Sequence, residues 1–227
     1  MNTESPLLTA RRLLTGVVGS RAYGLDHPES DVDLIRVAIL PSSRFLGLNP
    51  PTGSALTFHG KTSIGDITVH EVGKFLGLCL SGNPTVIETL NLDAYTDETD
   101  ETYRIRDLRG AVLSAPAIKT SFYGYANAQI QKAMASENPA RREKTARHAY
   151  RLAHQGARLW RTGQVVVRAD RDGCFAFGEA VAAGDHQRAR KLVDWLGDEF
   201  HKPTILPDTP DRAAVESYLL DVRRRLG

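Results

Sequence analysis

The sequence predicts an α+β chain, with short strands confined to its first half and a mostly helical second half. Three observations carry that expectation. Short apolar runs broken by turn residues recur at Leu13–Val18, Arg36–Leu40, Ala55–His59 and Asp66–Val72, the pattern of half-buried strands. After Leu108 strand signals become few, and long runs with apolar residues at helical spacing replace them. The charge changes sign at the same place: Ile64–Tyr103 holds eight acids and one lysine, Ser114–Gly163 nine Lys/Arg and two acids. The expected division is a strand-containing domain over 1–110 and a helical domain over 111–227.

In chain order, Pro6–Val18 begins as a short helix or extended arm and ends in the first strand. Gly19-Ser20 then opens a tight turn or helix. Ser30–Leu40 is expected as the second strand, stopped by Pro41. Ser43–Ser54, with its Gly, Asn and paired prolines, reads as a loop able to cover a site. Ala55–His59 and Asp66–Val72 form a strand pair around Gly60-Lys61-Thr62. In the latter strand Asp66, Thr68 and His70 share one face, while Ile67 and Val69 share the other. Gly73–Leu80 is apolar at helical spacing, and Asn83-Pro84 starts a further helix, since proline suits a first turn, with Val86, Ile87 and Leu90 inward. Asp93–Glu101 is acidic and exposed.

The second half reads as helices over Ala126–Ala135, Arg141–Arg161 (closed by Gly163), Glu179–Phe200 and Asp211–Leu226. Gln164–Val167 is a small strand or an extended link. On Arg141–Arg161, Ala149, Leu152, Ala153, Gly156 and Trp160 form an apolar stripe. Lys144, His148, Arg151, Gln155 and Arg158 form a polar stripe beside it, a basic row suited to phosphate groups.

With 227 residues and a formal net charge of +2, the chain can bury a real core. It has no apolar run of the roughly 18 residues that spanning a membrane requires. Its N-terminus lacks a signal-peptide layout, so a cytoplasmic protein with no membrane partner is expected. Two far-separated cysteines, Cys79 and Cys174, read as reduced buried thiols rather than a zinc site. Neither a P-loop nor a dinucleotide-binding glycine pattern occurs, and Asp26–Asp33 lacks the central glycine of a calcium loop.

The chemistry concentrates in Gly19–Leu34. If Ser30–Leu40 is a strand, Asp31 and Asp33 project on one side, two residues apart. Carboxylates that close repel each other, and a divalent cation resolves the conflict: Mg²⁺ is held by one or two carboxylates plus substrate phosphates. Gly19-Ser20 offers backbone N–H groups to a phosphate with no side chain in the way. Asp66 is the natural third carboxylate from a neighbouring strand; Glu71, on the opposite face, competes with it.

The wording Gly19-Ser20-Arg21-Ala22-Tyr23-Gly24 followed by Ser30-Asp31-Val32-Asp33-Leu34 resembles the DNA polymerase beta-like nucleotidyltransferase superfamily, in its branch of predicted bacterial and phage nucleotidyltransferases. The resemblance extends to Asp66-Ile67-Thr68, Lys74-Phe75-Leu76, Asn83-Pro84 with Glu88, Tyr123-Gly124-Tyr125, and the helix bearing Lys144, His148 and Arg151. It continues to Leu206-Pro207 and Pro210-Asp211. It implies a small mixed sheet carrying the catalytic site and a helical second half. It also implies transfer of a nucleoside monophosphate from a nucleoside triphosphate to a hydroxyl, with release of pyrophosphate. Asp31, Asp33 and Asp66 would hold two Mg²⁺ ions, or Mn²⁺ in their place. Gly19, Ser20, Arg21, Tyr23, Lys144, His148 and Arg151 would contact the nucleotide. The acceptor stays open between an RNA end, a protein hydroxyl and a small molecule; the basic helix and the rings of Tyr123 and Tyr125 lean towards RNA. The rival reading is a non-catalytic nucleotide- or RNA-binding module.

Overall fold

A short helix, α1 (Pro6–Thr9), leads into β1 (Arg11–Val18). The computed structural model describes residues 5–96 and 98–227; the extreme N-terminus and Asp97 lie outside the described residues. Next come α2 (Gly19–Tyr23), β2 (Asp33–Ile39), β3 (Thr57–Lys61), β4 (Asp66–Glu71), α3 (Val72–Leu80), α4 (Pro84–Thr89) and α5 (Asp100–Arg106). The remainder is helical: α6 (Ala115–Met134), α7 (Pro139–Thr162), α8 (Arg171–Ala182), α9 (His186–Glu199) and α10 (Arg212–Leu226). The chain is thus α+β, its strands all in the first half.

The sheet order is β1-β2-β4-β3. β2 pairs antiparallel with β1 and parallel with β4, and β3 closes the sheet antiparallel to β4, so the sheet is mixed. Ile35, Val37, Ala38 and Ile39 of the central strand β2 are all buried, the near-continuous apolar run of a strand covered on both faces. On one face Ala38, Ile67 and Val69 pack with Leu7 of α1 and Leu40. In α3, Val72, Phe75, Leu76 and Cys79 are buried, one stripe at helical spacing.

Contacts divide the chain into two units. One comprises Met1–Leu80, Thr85–Val112 and Pro210–Gly227; the other comprises Ser81–Pro84 and Leu113–Thr209. A single cut after residue 110 is therefore too simple, because α10 belongs with the sheet. Arg223 of α10 donates to Glu71 Oε1 at 2.8 Å and lies over the Phe45 ring at 4.2 Å. Glu71 also accepts from the Gly73 N–H at 2.7 Å.

In the second unit α6 and α7 pack where Gly156 lets Phe122 approach: a Cβ on Gly156 would stand 2.8 Å from Phe122 Cδ1. α7 is capped by the Asn138 side chain, which accepts from the Arg141 N–H, and ends at Gly163 in the left-handed region.

Three expectations need correction. β2 begins at Asp33 rather than Ser30, since the carbonyls of Ser30 and Asp31 accept from Arg21. α6 begins at Ala115, with proline in its first turn, well before Ala126. Glu179–Phe200 is not one helix: Gly184, at φ 100°, breaks it, and Asp185 caps α9. Of the two alternatives for residues 164–167, the structure shows the extended link. Both cysteines are free and buried, as expected.

Candidate active site

β1 ends by pairing Val18 with Asp33, the first residue of β2. The chain then turns at Gly19, whose φ of 72° is disfavoured for any residue with a side chain. A Cβ there would stand 2.4 Å from Asp33 Oδ2, so the carboxylate lies directly against the glycine-serine corner. The register Leu34↔Ile67 makes Asp66 the neighbour of Asp33, one step back on the parallel strand and on the same face. On the other side of Asp66, β3 sets Lys61 opposite it. Lys61 offsets part of the repulsion between the two acids, since opposite charges across strands attract and like charges repel.

Asp31 precedes the strand, so strand alternation does not orient it. Its segment is fixed by Arg21 of α2. The guanidinium donates to Ser30 O at 2.6 and 3.1 Å and to Asp31 O at 3.3 Å. From the other side, the Val32 N–H donates to Ile64 O at 2.8 Å. Gly65 allows this approach: a Cβ on it would stand 2.5 Å from Val32 O. Asp31 and Asp66 are exposed and Asp33 is half-buried.

Among the described residues no three His, Cys, Asp or Glu side chains stand close enough together to hold a metal ion, so the expected triad is not a ready-made cage. The donor chemistry nonetheless fits Mg²⁺. Hard carboxylate oxygens sit on adjacent strands, and such sites take one or two protein carboxylates, the remaining positions going to phosphate and water.

Two residues expected at the nucleotide have partners within the chain. Tyr23, the last residue of α2, is buried, and its hydroxyl donates to Glu88 Oε2 at 2.9 Å. Arg21 serves as the brace of the Asp31 segment, a role that sequence spacing alone does not reveal. Glu71 is buried and ion-paired with Arg223, which removes it as a competitor of Asp66. His70 bonds Thr57 Oγ1 at 3.0 Å. Its pKa is lowered to about 4, first by burial and then by His59 and Lys74.

The polar stripe of α7 divides. Lys144 and Arg158 are exposed, whereas Arg151 and Gln155 are buried, with Arg151 Nη1 donating to Gln155 Oε1 at 3.4 Å. His148 is held neutral, its pKa lowered to about 3 by burial and then by Arg151, Lys132 and Lys144. Tyr123 and Tyr125 lie on α6 and are exposed; the Tyr125 hydroxyl accepts from Asn83 Nδ2 at 2.9 Å. Sequence reasoning missed Gly65 and Lys61. Gly65 had a signal, a glycine immediately before the third acid; Lys61 had none, because its partner is set by hairpin register. Among the described residues no helix is long and apolar enough to cross a membrane.

No curated protein matches the chain. Among solved structures, a nucleotidyltransferase-like protein from Exiguobacterium sibiricum aligns over 96% of this chain and 76% of its own, at 14% identity and a TM-score of 0.30. That superposition is too loose to bear on function. The family comparison is direct: a model of the RNA repair pathway DNA polymerase beta family matches residues 6–170, a span that includes the glycine-serine corner, all three aspartates and the whole of α7. The chain belongs to that family, and with it to the DNA polymerase beta-like nucleotidyltransferase superfamily.

Proposed function

We propose that this protein transfers a nucleoside monophosphate from a nucleoside triphosphate to a hydroxyl group. The observation that supports it is the placement of the Asp33 carboxylate against Gly19, with Asp66 next to it in the sheet. Asp31 and Asp33 would hold Mg²⁺, and Asp66 would be the further ligand. The bound ions would neutralise the triphosphate and lower the pKa of the attacking hydroxyl.

The remaining steps fall to the chain itself. Backbone N–H groups at Gly19 and Ser20, with the Ser20 hydroxyl, would hold the β,γ-phosphates. The acceptor oxygen bonds to the α-phosphorus, the bond to the β-phosphate oxygen breaks, and pyrophosphate departs. Asp66 receives the proton. Arg21 keeps Asp31 in place. RNA is the favoured acceptor, in keeping with the family description.

The test combines the protein with Mg²⁺, each of four α-labelled nucleoside triphosphates, and RNA, protein or small-molecule acceptors. Label transfer together with Mg²⁺-dependent pyrophosphate release is expected, and Asp33→Asn should abolish both while leaving the melting temperature nearly unchanged. Full activity in Asp33→Asn would refute the assignment. Binding of nucleotide or RNA with no turnover on any acceptor would favour the non-catalytic reading.

A further inference from the structure

A second feature lies wholly within the helical unit. Between α7 and the 164–170 link is a cavity of about 230 Å³, lined by Arg151, Arg158, Arg161 and Arg168 together with Tyr150 and His154. Four guanidinium groups around one small cavity repel one another, and an anion relieves that repulsion.

The acids nearby are only partly available to do so. Asp170, the one carboxylate lining the cavity, accepts from the Gly173 N–H at 3.1 Å as the cap of α8. Glu199 reaches Arg161 at 3.7 Å but also accepts from Lys202 at 2.6 Å. Arg158 and Arg168 are exposed and make no ion pair among the described residues. Arg151 is buried to 2% exposure, which sets a positive charge at the inner wall.

The aromatic lining adds a second property. His154 packs on Tyr150 at 4.1 Å and on Trp195 at 4.6 Å, and burial lowers its pKa. Tyr150 packs in turn on Phe177 at 5.2 Å, so these rings present their edges, and ring edges beside an arginine cup suit the face of a planar base carried by a phosphate.

We infer that this cavity is a nucleotide-binding site, in which Arg151, Arg158 and Arg168 hold a phosphate while a base lies against Tyr150 and His154. The ligand is either the 5′ end of an RNA strand or a free nucleoside monophosphate. The inference does not depend on the catalytic reading.

The test is titration calorimetry of the full chain in EDTA, so that the aspartate corner lacks metal, with 5′-AMP and inorganic phosphate. Fluorescence anisotropy with a short single-stranded RNA bearing either a 5′-phosphate or a 5′-hydroxyl completes it. The site predicts that 5′-AMP binds at least tenfold more tightly than phosphate. The surface double variant Arg158→Ala/Arg168→Ala, checked by its unchanged melting curve, should weaken AMP at least tenfold. His154→Ala should reduce the advantage of AMP over phosphate, and Asp33→Asn should bind like the parent. Tighter binding of 5′-phosphorylated RNA than of AMP identifies a strand end; equal binding identifies the free nucleotide. The inference is overturned if neither ligand binds, if phosphate binds as well as AMP, if the arginine double variant binds normally, or if Asp33→Asn removes the binding.

Discussion

The carboxylate of Asp33 touches the space where Gly19 has no side chain: a methyl group there would stand 2.4 Å from Asp33 Oδ2. The glycine and the aspartate thus depend on each other, one for conformation and one for room. Gly19→Ala should cost about 1–2 kcal/mol for the left-handed backbone alone. By displacing Asp33 it should also lower Mg²⁺-dependent turnover more than tenfold. Melting curves and pyrophosphate release measure the two effects separately, and unchanged turnover would show that the corner is not part of the site.

Gly65 makes a comparable demand on the backbone of Val32. Gly65→Ala would bring a Cβ to 2.5 Å from Val32 O, parting the start of β4 from the Asp31–Asp33 segment. Turnover should fall while affinity for AMP in EDTA stays at the parent value.

Tyr23 distinguishes packing from ligand contact. Tyr23→Phe removes the donor to Glu88 Oε2, a carboxylate at 1% exposure. Losing a hydrogen bond to a buried charge costs about 1–3 kcal/mol, and at this chain length each kcal/mol lowers Tm by about 2–4 °C. The KM for the nucleoside triphosphate should be unchanged. A raised KM with an unchanged Tm would restore Tyr23 to the nucleotide site.

The C-terminal helix is fastened by a buried charge pair. Arg223→Met leaves Glu71, at 0% exposure, without its partner at 2.8 Å and should destabilise the protein by about 3–5 kcal/mol. Adding Glu71→Gln should recover most of that loss in denaturant titrations. If the double variant is as unstable as Arg223→Met, the stacking of Arg223 on Phe45 outweighs the ion pair.

A buried histidine, His70, and a half-buried one, His148, predict acid sensitivity. The pKa of His148 is lowered to about 3 and that of His70 to about 4, from 6.5. The unfolded chain therefore binds more protons than the folded one below pH 6.5. Their contribution to stability is complete above that pH and is lost as pH falls towards 4. His148→Gln should flatten the stability profile between pH 6.5 and 4.5, by up to about 2 kcal/mol at the lower end. A profile as steep as the parent's would exclude His148 as its cause.

Local features were legible because their causes are local. The left-handed Gly163 closes α7, and the alternation in Asp66–Val72 places Ile67 and Val69 in the core. The division of 179–200 into two helices was not read, although Gly184-Asp185 carried the signal; a continuous apolar stripe concealed it. The start of β2 could not be read at all, because the acceptors it lost are taken by Arg21, an atom pair nine to ten residues apart in sequence.

The sequence by itself determined the class of fold and the family-like motif that nominates candidate residues for metal and phosphate, since periodicity and side-chain chemistry are properties of short stretches. Tertiary structure alone decided that Asp66 neighbours Asp33 and that Lys61 faces Asp66. It also decided that Glu71 is consumed by Arg223, that Tyr23 is buried against Glu88, and that the arginines of α7 share a cavity with Arg168. Each of these depends on sheet register or helix packing between distant segments, and no spacing along the chain encodes that distance.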